Sequence, residues 1–199
     1  MSGIDSLAGD LLTVDWDIVR AQGIEPRTER EEAALDELDP VVHEIVRHRL
    51  FQIMDEGRST VARLGADPVV HDAEEVGFFI FTHSGDVASA AAGIVWHAAG
   101  TPTTIKYANK HFVGNASVGV GDEDYFFNNE TLYGGTHPPD QLIFTPFYYE
   151  GELIAWIGAL THESETGAID PGGMAPSAIN KYSDGLLRTP PIKIVEQGR

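Results

Sequence analysis

The chain contains no cysteine. Disulfides, thiolate metal sites and cysteine nucleophiles are therefore excluded, and any chemistry must rest on histidine, carboxylate, hydroxyl or lysine. Basic residues are scarce: 13 lysines and arginines stand against 31 aspartates and glutamates, a formal net charge of −18. That field repels a phosphate backbone, which argues against nucleic acid as a partner; the acidity itself serves solubility. No apolar run approaches the roughly 18 residues that a membrane-spanning helix needs. The opening residues MSGIDSLAGDLL also lack the basic start and compact apolar stretch of a signal peptide. The expectation is a cytoplasmic protein with no membrane contact. Missing as well are a GxxxxGKS/T phosphate loop, any internal repeat and any low-complexity tract.

What is present begins with an acidic, weakly patterned arm, residues 1–38, in which EREEAALDELD predicts a short exposed helix. Such an arm cannot bury its own surface and is expected either to stay mobile or, the favoured reading, to lie along another subunit. Residues 39–199 are long enough for one domain with a real core. Asp39-Pro40 reads as a helix cap followed by a first-turn proline. Val42, Ile45, Val46, Leu50, Ile53 and Met54 then recur at helical spacing, predicting a helix to about Leu64, with His43 and His48 as surface residues along it.

After the stop at Gly65, VGFFIFT (Val76 to Thr82) predicts a strand ending in the HSGD turn, paired with a second extended segment around Ile94 to His97. TPTTIKYANKHF predicts a helix from about Pro102 to Phe112, with Lys106 as a solvated residue on it. DYFFNNE, QLIFTPFYY and ELIAWIGALTH predict three strands, the last two joined at Glu150-Gly151 and so antiparallel; the tail LLRTPPIKI is extended. The fold class expected is α+β: antiparallel strands and hairpins packed with a long N-terminal helix, preceded by an acidic arm.

One short stretch carries chemistry. In THPPDQ, two prolines fix the backbone between His137 and Asp140, at the mouth of the strand that follows. In a hairpin turning at Glu150-Gly151, residues whose numbers sum to about 301 face each other, which brings His162 near Pro139-Asp140. Two readings fit that convergence. His137, Asp140 and His162 make a three-ligand open site for Zn²⁺, Mn²⁺ or Fe²⁺; equally, Asp140 caps a rigid hydrogen-bonded turn with both histidines merely nearby. Around them, Glu163 is a candidate general base, although strand alternation points it to the other face. His97 is a candidate cavity residue or a satisfied core histidine. Asn128 and Asn129 are candidates to orient ligands or substrate, or else turn formers. The glycine-rich GAIDPGGMAPS permits close backbone approach to a ligand or a mobile cover, and a plain connector explains it equally well.

From about Pro40 onward, HAAGTPTTIKYA, DEDYFFNNETLYGGTHPPD, EGELIAWIGALTHESETGAIDPGGM and DGLLRTPPIKI, in this order and spacing, resemble the amino-terminal part of the hydantoinase B family. Its relatives include 5-oxoprolinases and the metal-bearing subunits of acetone and acetophenone carboxylases. The resemblance implies that His137, Asp140 and His162 ligate a divalent metal, Mn, Zn or Fe. It also implies an ATP-dependent ketone carboxylase subunit acting on a ketone and bicarbonate, with ATP and its Mg²⁺ bound by a hydantoinase A-like partner in a larger complex. Two alternatives follow from the same residues: a hydantoinase or 5-oxoprolinase B-type subunit for cyclic-amide hydrolysis, and a metal-free interaction subunit. The chain departs from the hydantoinase-type pattern in placing Glu163 where a second histidine commonly follows, and it is much shorter than the family norm. The segment 39–199 is thus expected to be one piece of a larger, split or truncated domain.

Overall fold

The computed structural model describes residues 23–180, 182–183 and 185–199. The chain divides into two compact units, 1–38 and 39–199. In the first, helix α1 (Glu29–Glu37) forms where the sequence predicts it. Thr28 caps it through a reciprocal box with Glu31, and none of its residues is buried. The expectation for the start of the arm falls on residues outside those described.

The second unit opens with α2 (Pro40–Leu64). Asp39 caps it by accepting from the backbone N–H groups of Val41 and Val42, and Pro40 occupies the first turn, where its missing N–H loses no helical bond. Only the second half of α2 is anchored: Met54 and Ala62 are buried, and Gly57 lies so close to Phe78 that a Cβ would stand 2.9 Å from its ring. A short α3 (Pro68–His71), capped by Asp67, leads into β1 (Val76–Thr82).

Here two expectations are corrected. The partner of β1 is β2 (Val87–Ala92), not Ile94–His97; Ile94 instead precedes α4 (Val95–His111), which takes in Pro102. The alanines of VASAAA are poor strand formers on propensity, and pairing with the aromatic β1 overrides that weakness. A proline inside a helix removes one backbone bond and is a normal stop signal; burial of His97, Thr101, Thr104, Ile105 and Ala108 holds α4 together across it. Lys106 is not simply solvated, since its ammonium stands 2.7 Å from Asp86 and ties α4 to the β1–β2 turn.

The remaining strands are β3 (Tyr125–Asn128), β4 (Asp140–Tyr149), β5 (Glu152–His162) and β6 (Ile192–Val195). Six strands form one sheet in the order β2-β1-β5-β4-β3-β6, each neighbouring pair antiparallel, so the α+β expectation holds. On the inner face Phe79, Phe81, Phe126, Leu142, Phe144, Trp156 and Leu160 pack with Ile105 and Ala108 of α4 and with Phe112, the residue that caps it. The rings of Phe112, Phe126 and Phe144 stack in series, 5.7 and 5.3 Å apart. On the outer face α2 packs against β1 and β2, with Gly57 against Phe78; farther along, Ile143, Phe147, Ile192 and Ile194 remain 41–46% exposed.

The β4–β5 hairpin turns at Glu150 and Gly151, both with positive φ (51° and 84°), as a two-residue type I′ turn requires. Its ladder is interrupted once. Leu153 faces Tyr148 and Ala155 faces Phe147, leaving Ile154 without a partner. Without that bulge His162 would face Pro139, and Asp140 would face Thr161 with its side chain on the other side of the sheet. With it, Asp140 and His162 face each other directly.

Candidate metal centre

The segment from Asn128 to Asp140 is fixed by main-chain approach and by buried amides. Gly134 adopts φ 98° at the end of the 3-10 turn Thr131–Tyr133, and it touches α4 so closely that a Cβ would lie 2.4 Å from the Gly100 carbonyl. Only glycine fits both demands. Asn128 donates to Thr104 Oγ1 at 3.1 Å and to the Tyr133 carbonyl at 3.4 Å, while its own oxygen accepts from Glu130 N–H. Asn129 donates to the carbonyls of Pro138 and Leu187 and accepts from Thr189 N–H at 2.6 Å. Both side chains are buried and bonded to protein through nitrogen and oxygen, Asn129 reaching the His137–Asp140 loop at Pro138 and Asn128 the turn before it at Tyr133.

At the end of that loop His137, Asp140 and His162 each offer one ligand atom, all within 4.8 Å of one another. His137 Nε2 stands 3.5 Å from Asp140 Oδ1, and the two imidazole rings are 4.7 Å apart. The Asp140 side chain is 0% exposed and His162 is buried, whereas His137 keeps 27% of its side-chain surface and forms the open side. A further ring, His97 from the first turn of α4, approaches from behind, its Nε2 3.2 Å from Asp140 Oδ2.

The electrostatics match a cation site. Burial, the largest single influence on Asp140, raises its pKa, but the contacts with His137 and His97 outweigh it and hold the carboxyl well below the usual range. Burial lowers the pKa of His162, and the neighbouring His137 lowers it further, so the neutral, ligand-competent ring is favoured. Both Asp140 oxygens and His162 Nδ1 are buried without a well-aligned hydrogen bond. Groups of that kind are destabilising unless something polar meets them. Two imidazoles and a carboxylate converging around unsatisfied oxygens fit a divalent ion with open positions, of the Zn, Mn or Fe type.

One neighbour of the cluster, Glu75, carries no mark in the sequence. Glu75 Oε2 lies 3.9 Å from His162 Nδ1, and His162 N–H donates to the Glu75 carbonyl. Nothing marks Glu75 until the pairing of β1 with β5 is known, because that pairing alone brings it beside the end of β5. Gly173, with φ 71°, passes over the imidazole of His162; a Cβ there would be 3.1 Å from Cε1. The glycine-rich run thus brings its backbone against a side chain of the cluster. Glu163 lies outside the three-residue cluster, its N–H bonded to the Pro139 carbonyl.

Fold and site together have a family. The profile of the hydantoinase B/oxoprolinase family matches residues 39–199, and the chain belongs to that family. Among individual proteins, the acetophenone carboxylase delta subunit of Aromatoleum aromaticum is 37% identical over 171 residues, which cover 86% of this chain and 24% of that one. The solved nucleotide-free structure of acetone carboxylase, from a study of ATP-dependent acetone carboxylation, superposes with a TM-score of 0.75 at 32% identity, covering 83% of this chain and 22% of that one. The ATP-dependent caprolactamase from Pseudomonas jessenii superposes with a TM-score of 0.60 at 25% identity, covering 81% and 27%. In each case the chain spans little more than a quarter, or less, of the protein it resembles.

Proposed function

We propose that residues 39–199 form the metal-bearing part of an ATP-dependent ketone carboxylase of the acetone or acetophenone type, working inside a larger complex. The observation that carries this reading is the His137–Asp140–His162 cluster, in a chain whose similarity to carboxylase subunits runs through the same segment. In this reading the three side chains hold a divalent ion. When bound, such an ion supplies Lewis acidity toward a carbonyl or enolate oxygen.

The remaining work falls to the protein. Asp140 sets a negative charge at the buried side of the cluster, His162 supplies a neutral ring, and the partly open His137 leaves the approach for a small ketone and bicarbonate. Asn129 holds the His137–Asp140 loop by donating to the Pro138 carbonyl, and Asn128 holds the turn before it by donating to the Tyr133 carbonyl. Glu163, next to His162 and outside the three-residue cluster, is the candidate general base in this reading. ATP with its Mg²⁺ belongs to a hydantoinase A-like partner, consistent with the lack of a GxxxxGKS/T loop here.

Hydrolysis of a cyclic amide is the second reading, supported by the family's oxoprolinase members and the likeness to caprolactamase. A metal-free subunit that docks a partner through its acidic arm is the third. Elemental analysis of the protein purified with its accompanying subunits separates the third from the others. Close to one Mn, Zn or Fe per chain is expected, and loss of it in a His137→Ala, His162→Ala double variant. ATP turnover driven by acetone or acetophenone with bicarbonate, against turnover driven by 5-oxoproline or caprolactam, separates the first two.

A further inference from the structure

The two oxygens of Asp140 have different neighbours. Oδ1 faces His137, whereas Oδ2 faces His97. We propose that His97 is a positioning residue for Asp140: its Nε2–H holds Oδ2 and leaves Oδ1 as the single oxygen directed at the ion. The inference rests on the metal reading above and assigns within it a residue outside the ligand set.

Three features of the structure support the assignment. His97 is 1% exposed and cannot meet substrate, so it acts through Asp140 or not at all. Its backbone is held at both ends, N–H to the Ile94 carbonyl and carbonyl to the Thr101 hydroxyl. Helix α4 is in turn clamped to the ligand loop by the contact of Gly100 with Gly134 and by Thr104, which donates to the Tyr133 carbonyl. The ring therefore moves with the loop that carries His137 and Asp140.

The tautomer follows from what surrounds the ring. Nδ1 is buried and meets no partner. A proton there would leave a buried N–H unsatisfied beside an unsatisfied carboxylate, so the proton belongs on Nε2, facing Oδ2. The 3.2 Å separation is within hydrogen-bond reach, although the contact is not well aligned. Asp140 is the first residue of β4, its backbone fixed by a bond to the His137 carbonyl and by pairing with His162. The side-chain torsions are what remain to be set, and His97 sets them. The ring lies in the first turn of a 17-residue helix, where the backbone dipole also favours the anion.

Mn²⁺ titration of the metal-stripped protein, followed by calorimetry and by the Mn²⁺ paramagnetic resonance spectrum, tests this. His97→Gln places an amide N–H near the position of Nε2; His97→Asn carries the same amide but does not reach; His97→Phe removes it. The expected result is near wild-type affinity and spectrum for His97→Gln, with affinity about 10–100-fold weaker and an altered spectrum for the other two. Metal-free melting temperatures are read alongside, and His97→Asn carries the comparison if His97→Phe does not fold. Wild-type affinity in both His97→Asn and His97→Phe overturns the proposal. So does equal loss in all three variants, which would make His97 a ligand itself. If wild type and the His137→Ala, His162→Ala variant bind Mn²⁺ equally poorly, the metal reading falls and this inference with it; Mn²⁺ binding untouched by His97 substitution sinks this inference alone.

Discussion

Asp124 shows how a single buried carboxylate shapes this protein away from the candidate metal centre. It is 2% exposed and receives Lys193 Nζ at 2.8 Å, together with the backbone N–H groups of Gly121 and Gln197. Burial, the largest influence, raises its pKa; Lys193 and the two amides outweigh burial and lower it. A carboxyl whose folded pKa is depressed stabilises the fold above its unfolded value of about 3.9, and the stabilisation is lost as pH falls through the folded value. The protection of the β6 amides against hydrogen exchange, corrected for the intrinsic rate, should therefore fall below about pH 4 in the wild type. Asp124→Asn should be less stable at pH 7 by about 1.5–3 kcal/mol and show a flatter acid dependence. An unchanged acid profile in the variant would remove Asp124 from this role. At the same scale, His137, Asp140 and His162 were legible as a convergent set because prolines and a hairpin are written in the sequence. The contacts of His97 with Asp140 and of Glu75 with His162 were not, since they depend on how α4 and β1 are placed against β4 and β5.

Among the elements, those with strong local signals stood where the sequence placed them: α2 behind Asp39-Pro40, β1 in VGFFIFT, and the hairpin at Glu150-Gly151. The two misread segments, β2 and the start of α4, share one cause. An alanine-rich strand and a helix running through Pro102 both contradict local propensity and exist because tertiary packing favours them. The contact of the loop before β4 with α4 is the element-level feature most exposed to test. Gly134→Ala would force a Cβ to 2.4 Å from the Gly100 carbonyl at φ 98°, with Thr103 and Thr104 also near. A loss of about 1–3 kcal/mol in urea denaturation is expected, with weakened metal retention. Gly151→Ala, at φ 84° with open space around it, is the control and should lose only about 1 kcal/mol. Equal losses would show that backbone strain alone, and not the clamp between helix and loop, governs position 134.

Across the whole molecule the sheet is asymmetric: aromatic and sealed on the α4 face, partly bare on the other. An antiparallel sheet with a solvated face ordinarily alternates apolar and polar residues, yet here Ile143, Phe147, Ile192 and Ile194 point outward. Purified alone, the chain should bind a hydrophobic dye at neutral pH and elute as associated species in size-exclusion chromatography. Ile143→Lys with Phe147→Lys should reduce both signals while leaving metal content unchanged; no change in either would show that this surface is inert. The unpaired Ile154 has a consequence of another kind, concerning how the chain tolerates gain and loss of residues over time. Substitutions at the hairpin tip, far from the histidines, leave the parity of the ladder alone. A single deletion on one strand would change which residues share a side, and would separate Asp140 from His162 without touching either. Matched deletions, one from each strand, would shorten the hairpin and keep them together. Length variants along this lineage should accordingly be found in balanced pairs.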